Sequence, residues 1–281
     1  MSNSVFVPGH ITGFFTVENH KIRLKNGSCG VGFLLSKGVR STIFPSDNLE
    51  IEVNQGDSTV IDEVLSILET DADFRIVQDI QLPIGAGFGT SAASALSLTL
   101  ALNEFLDLGY SDELCGQIAH MAEVNLGAGL GDVIAQTGKG LVLRTKPGAP
   151  GIGEIKSFNH DVYIAWKTFG RIETSEIIRN SHYQNIISTS GSKYLDLFED
   201  EPALENFLSF SNRFSHEINL MSDEVKNLID YFNSSSDILG SSMAMLGNTA
   251  FAFAYDEDAF KNLNIEDLHI DKLNNIGITY D

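Results

Sequence analysis

The chain has 281 residues, 43% of them hydrophobic, and a formal net charge of −20 at pH 7. That length can fill one large core or two smaller ones, while the acidic surplus argues against nucleic acid or an anionic membrane as main partner. Cys29 and Cys115 lack metal-ligand spacing and read as free thiols of a reducing cytosol. No signal-peptide pattern opens the chain and no apolar run is long enough to span a membrane, so a cytoplasmic location is expected.

In chain order, residues 4–8 read as a strand entering a turn at PGH, and HITGFFTV continues with alternating character. NGSCGVGFLL is a glycine-rich turn feeding a strand. Residues 41–44 and 49–53 look like strands, and Val60, Val64, Leu65 and Leu68 recur at helical spacing. Residues 74–82 alternate like a strand, and 91–106 form a long apolar helix expected at the centre. Asp112 is the expected N-cap of a helix from 113 to about 126, which GAGLGD then breaks. A short strand at 141–144 precedes KPGAPGIGE, residues 146–154, whose two prolines and three glycines suggest a domain boundary. Beyond it come a strand at 162–169, a short helix at 174–180, helices at 204–220 and 223–232, and a strand at 250–255.

The most informative segment is LPIGAGFGTSAASA, residues 82–95. Gly85, Gly87 and Gly89 alternate, and Thr90 and Ser91 open the central helix. A glycine-rich loop lets backbone N–H groups turn inward around an anion, and the helix behind it adds its positive N-terminus. A phosphate chain is the natural guest, with Thr90 or Ser91 free to hold a metal. Neither common phosphate loop fits: the P-loop needs a Lys before its Ser/Thr, and the dinucleotide fingerprint needs a glycine where Thr90 stands.

AHMAEVNLGAGLGD supplies two carboxylates, Glu123 near a helix end and Asp132 after a glycine-rich turn. Beside a phosphate loop, such a pair suits phosphoryl transfer. One carboxylate holds Mg²⁺ and the other orients or deprotonates an attacking hydroxyl. Read singly, Glu123 is a solvated helix residue and Asp132 an N-cap.

The order PGH, then P-x-G-x-G-x-G-T-S-A-A, then E-x8-D resembles the GHMP small-molecule kinases, with Phe88 and Thr90 as mild departures from the family loop. VPGHITGFF, GSCGVGFLL and LPIGAGFGTSAA together are similar to its archaeal pantoate kinase branch. The resemblance implies a two-domain α+β fold, with an S5-like ATP-binding domain over residues 1–150 and a ferredoxin-like domain over 151–281. It implies that Gly85, Gly87, Gly89 and Thr90 wrap the ATP phosphates, that Ser91 and Glu123 bind Mg²⁺, and that Asp132 is the catalytic Asp, the base or orienter of the acceptor hydroxyl. The implied reaction is ATP-dependent phosphorylation of the primary hydroxyl of pantoate, giving 4-phosphopantoate for coenzyme A synthesis. Homoserine or mevalonate kinases, a decarboxylating relative and a nucleotide-binding sensor are the alternatives, and a homodimer is compatible with the resemblance.

Pantoate offers a carboxylate, which suits a planar guanidinium; Arg144 is the candidate, against a reading as a surface arginine. His10 is either a substrate or phosphate contact or a structural residue of its turn, and Ser28 a wall of the acceptor pocket or a turn residue. Lys21, Arg23 and Lys25 are either a solvated face or a source of positive potential. The third family motif departs: GSSMAMLGNTAFAF replaces a glycine-rich string. Met243 and Met245 then read as core or pocket wall, leaving Ser241, Ser242 and Asn248 as further candidates for substrate contact.

Overall fold

The computed structural model describes residues 3–171 and 181–281; the short helix expected at 174–180 lies outside them. A long hairpin organises the first half: β1 (Asn3–Phe15) pairs antiparallel with β2 (Gly30–Pro45). The other edge of β2 carries β4 (Phe74–Ile80) towards its end and β5 (Leu141–Lys146) near its start. β3 (Glu50–Val53) joins β4 in parallel through helix α1 (Thr59–Leu68), and β6 (Glu154–Phe158) extends the sheet from β5. The C-terminal strand β11 (Thr279–Tyr280) returns to the far edge, beside β1.

The second sheet has the order β10-β7-β9-β8, from β7 (Tyr163–Thr168), β8 (Gly240–Met243), β9 (Thr249–Ala254) and β10 (His269–Lys272). Between β7 and β8 run α5 (Ser181–Asp200), α6 (Leu204–Ile218) and α7 (Asp223–Asn233); the short α8 (Asp258–Lys261) links β9 to β10. This strand–helix–strand–strand–helix–strand order is a split β-α-β arrangement.

Helix α2 (Thr90–Leu106) is buried along most of its length, between the first sheet and α3 (Asp112–Leu126). A buried polar network pins it. The amide of Gln78 on β4 donates to the Ser41 hydroxyl at 2.9 Å and to the Ser94 carbonyl at 3.0 Å. Ser94 donates back at 2.7 Å, and Ser41 meets Ser97 at 2.7 Å. Such a network fixes the helix register because every unmet partner is costly in the interior.

Three expectations are corrected. PGH is not a turn: β1 runs through it with a register shift between Pro8 and His10, the kind of bulge that re-aims a side chain. The Pro/Gly-rich stretch at 146–154 is the turn of the β5–β6 hairpin, so the chain stays in the first sheet beyond residue 150; such residues punctuate tight turns as readily as linkers. The cap of α3 is Ser111, whose hydroxyl accepts from the Leu114 N–H, while Asp112 sits in the first turn.

The two sheets share a core. Phe33 of β2 lies edge-on to Phe253 and Phe251 of β9 at 4.8 and 5.0 Å, a favoured aromatic geometry. Among the described residues no helix is long and apolar enough to cross a membrane. Replacing Gln78 by Leu should destabilise the fold by about 3 kcal/mol, from the buried partners it strands, read as a lower urea midpoint. An unchanged midpoint would show that the network does not hold α2.

Candidate active site

Gly85 and residues 87–91 line one side of a cavity of about 270 Å³. All three loop glycines lie at positive φ. Two are also tightly packed: a Cβ on Gly87 would lie 3.1 Å from the Gly247 Cα, and one on Gly89 would lie 3.1 Å from the Asp132 Cβ, so the neighbouring atoms would have to give way. The loop hands directly into α2 at Thr90, so the helix N-terminus faces the cavity behind Ser91. Arg171, after β7, lies along Gly85 and brings a cation to the loop. No sequence motif marks Arg171. Arg23 turns away to Asn125 at 2.6 Å, and Lys21 and Lys25 do not line the cavity.

Across the cavity, α3 ends one turn after Glu123, capped by Gly127 at φ 65. A loop then delivers Asp132 to the start of the short α4 (Asp132–Gln136). The two carboxylates converge on one point: a Cβ on Gly129 would sit 2.8 Å from Glu123 Oε2 and 2.9 Å from Asp132 Oδ2. Glu123 is buried just behind the cavity wall. Its Oε2 accepts from the Gly129 N–H at 3.0 Å, and its Oε1 is buried without a partner. Burial first and the Asp132 charge second push its carboxyl up to about 7, against the Ser91 and Gly129 hydrogen bonds that lower it. A buried carboxylate oxygen lacking a donor, beside a hydroxyl and a second carboxylate, suits a hard cation. Among the described residues no group of three His, Cys, Asp or Glu side chains forms a complete cage, but Mg²⁺ needs only one or two carboxylates when phosphates and water supply the rest.

Asp132 is set differently. Its side chain keeps 27% of its surface open, while His10 keeps none. His10 Nδ1 lies 2.7 Å from Asp132 Oδ1, and Arg144 Nη1 lies 3.4 Å from His10 Nε2. Burial raises the Asp132 carboxyl, but the hydrogen bond from His10 and the nearby Arg144 guanidinium outweigh it and hold it below its ordinary value. Arg144 is buried yet lines the cavity, with its Nε donating to the Ser28 carbonyl at 3.2 Å. Ser28 also lines the wall. The glycine loop, Asp132, Arg144 and Ser28 thus converge on one cavity, whereas His10 lies behind Asp132 rather than on the cavity surface.

The third motif backs the loop from behind. The Thr249 hydroxyl donates to the Ala86 carbonyl at 2.8 Å, and a Cβ on Gly247 would run into that same carbonyl. Met243 is core and Met245 is cavity wall. Ser241 and Ser242 are bonded into the interior, and Asn248 ties Ser222 to the Phe169 carbonyl, so none of the three faces the cavity. Gln136 was not anticipated: it is fully buried, and its amide donates to the Gly89 carbonyl at 2.8 Å, holding the loop's last turn.

Residues 59–140 match the GHMP kinases N terminal domain, the class whose chemistry this loop and carboxylate pair resemble. The pantoate kinase of Methanocaldococcus jannaschii is 34% identical over 273 residues, covering 93% of this chain and 96% of that protein. The pantoate kinase of Thermococcus kodakarensis is 34% identical over 274 residues, covering 91% and 89%. A solved phosphotransferase related to the CoA biosynthesis pathway superposes with a TM-score of 0.87 at 28% identity, covering 100% of this chain and 99% of that one. The chain belongs to the pantoate kinase family of the GHMP kinases.

Glu123 makes a pH prediction for the metal-free protein. Its carboxyl is raised in the fold from 4.5 to about 7, so between those values the folded state holds a proton that the unfolded state has lost. The stability it contributes is present below the lower value and disappears as pH rises through the upper one. Metal-free Glu123→Gln should therefore melt above the wild type at about pH 8, with the gap closing by about pH 5. Equal melting temperatures at both pH values would contradict the raised carboxyl.

Proposed function

We propose that the protein transfers the terminal phosphoryl group of ATP to the primary hydroxyl of pantoate, giving 4-phosphopantoate for coenzyme A synthesis in the cytoplasm. Its pantoate kinase relatives support the substrate. The observation that carries the chemistry is the opposition of an ionised, partly open Asp132 to a phosphate loop, with the Arg144 guanidinium beside it.

The residues divide the work as follows. The loop glycines and Thr90 wrap the polyphosphate with backbone N–H groups, and the α2 N-terminus and Arg171 add positive charge. Ser91 and Glu123 hold Mg²⁺, which when bound neutralises charge on the phosphates. Arg144 takes the pantoate carboxylate as a fixed planar donor, and Ser28 walls the acceptor pocket. The hydroxyl oxygen of pantoate forms the new bond to the γ-phosphorus, and the bond to the β,γ-bridging oxygen breaks as ADP leaves. The hydroxyl proton passes to the Asp132 carboxylate. Positioning and charge neutralisation supply most of the acceleration.

Coupled ADP release from ATP and Mg²⁺ with pantoate, pantothenate, homoserine and mevalonate tests the reading. Turnover confined to pantoate is expected. Turnover on homoserine or mevalonate would displace the substrate, and ATP binding with no turnover on any acid would favour a nucleotide sensor. Asp132→Asn should lower kcat by about 10²- to 10⁴-fold while leaving ATP affinity close to wild type. Parallel loss of both would remove Asp132 from the role of base.

A further inference from the structure

We propose that His10 is a positioning residue that joins the base Asp132 and the carboxylate clamp Arg144 into one rigid unit; this rests on the roles proposed for those two residues above. The imidazole is fully buried and does not line the cavity, so it is out of reach of substrate. Its two nitrogens face two different partners, Nδ1 at 2.7 Å from Asp132 Oδ1 and Nε2 at 3.4 Å from Arg144 Nη1.

Those partners dictate the tautomer. An ionised carboxylate only accepts, so Nδ1 must carry the proton; a guanidinium only donates, so Nε2 must carry the lone pair. A second proton on the ring would set N–H against N–H at Arg144. Burial pulls the His10 pKa below its ordinary value in spite of Asp132, in keeping with a neutral ring.

The backbone fixes the ring in place. The His10 N–H donates to the Phe88 carbonyl at 2.9 Å, inside the phosphate-loop segment. On the facing strand, Gly32 leaves the space that Nε2 fills, since a Cβ there would collide with it. The far side of Arg144 is tied to the Ser28 carbonyl. One chain of contacts therefore runs from the acceptor-pocket wall through Arg144 and His10 to the base. It sets the distance between the substrate's carboxylate and the hydroxyl that reacts.

Two conservative variants separate the two ends of the ring. Asparagine places an amide near Nδ1 and keeps a donor for Asp132; glutamine places one near Nε2 and keeps an acceptor for Arg144. His10→Asn should hold kcat close to wild type and raise KM for pantoate roughly tenfold. His10→Gln should lower kcat about 100-fold with KM for pantoate little changed. KM for ATP should move in neither. Wild-type kinetics in both variants, or the same loss of kcat and KM in both, overturns the bridging role.

Wild-type enzyme measured alongside separates this failure from that of the parent reading: no turnover of pantoate by the wild type sinks both. Should the variants fail to fold, ¹⁵N NMR of the imidazole in the wild-type protein decides. A neutral ring protonated on Nδ1 is expected, and one protonated on Nε2 overturns the proposal.

Discussion

Two carboxylates converge over Gly129, in a chain that already carries a surplus of negative charge. Like charges brought together in a partly dry site push at least one carboxyl towards its neutral form. The surroundings resolve this unequally. Asp132 is given a hydrogen-bond donor in His10 and a guanidinium beyond it, and stays ionised. Glu123 is given a buried oxygen with no donor at all and is raised to about 7. Pairs of titratable groups driven apart by their environments mark a division of roles. On the proposed roles, one carboxylate serves a proton and the other a cation.

The fold is arranged around that division. The β1–β2 hairpin carries His10 and Ser28 and presents β5, with Arg144, on its edge. α3 and α4 supply the carboxylates from the other side, and α2, pinned to the sheet through Gln78, fixes the glycine loop between them. Among the described residues the second sheet's half lines the cavity only through Met245 and Leu246, yet the loop rests on it through Thr249 and the bare backbone of Gly247. An atypical third motif is thereby accounted for. In place of a glycine-rich string, this chain uses one glycine and one hydroxyl to brace the 85–91 loop.

The parts legible in sequence were those with strong local patterns. Alternating glycines, hydroxyls at a helix start and a carboxylate pair pointed to the residues that line or back the cavity, helical spacing located α1, and a long apolar run located α2. What escaped depends on tertiary approach. α5 hides because Ser, Thr and Gly interrupt its middle, and Gly191 is there because the Phe15 carbonyl leaves no room for a Cβ. β1 was cut short because Pro-Gly reads as a turn until the pairing with β2 shows a bulge. Gln136 carries no motif, and its role exists only because Gly89 stands opposite. His10 was legible as a residue of interest but not in its role, since a sequence cannot show which side of Asp132 a side chain lies on.

A crystal structure of the complex with a non-hydrolysable ATP analogue, Mg²⁺ and pantoate tests the account most directly. The primary hydroxyl of pantoate should lie within hydrogen-bond reach of Asp132, its carboxylate on Arg144, and the triphosphate along residues 85–91 with Ser91 and Glu123 on the metal. Pantoate bound with its carboxylate away from Arg144, or with its hydroxyl turned from Asp132, would contradict it.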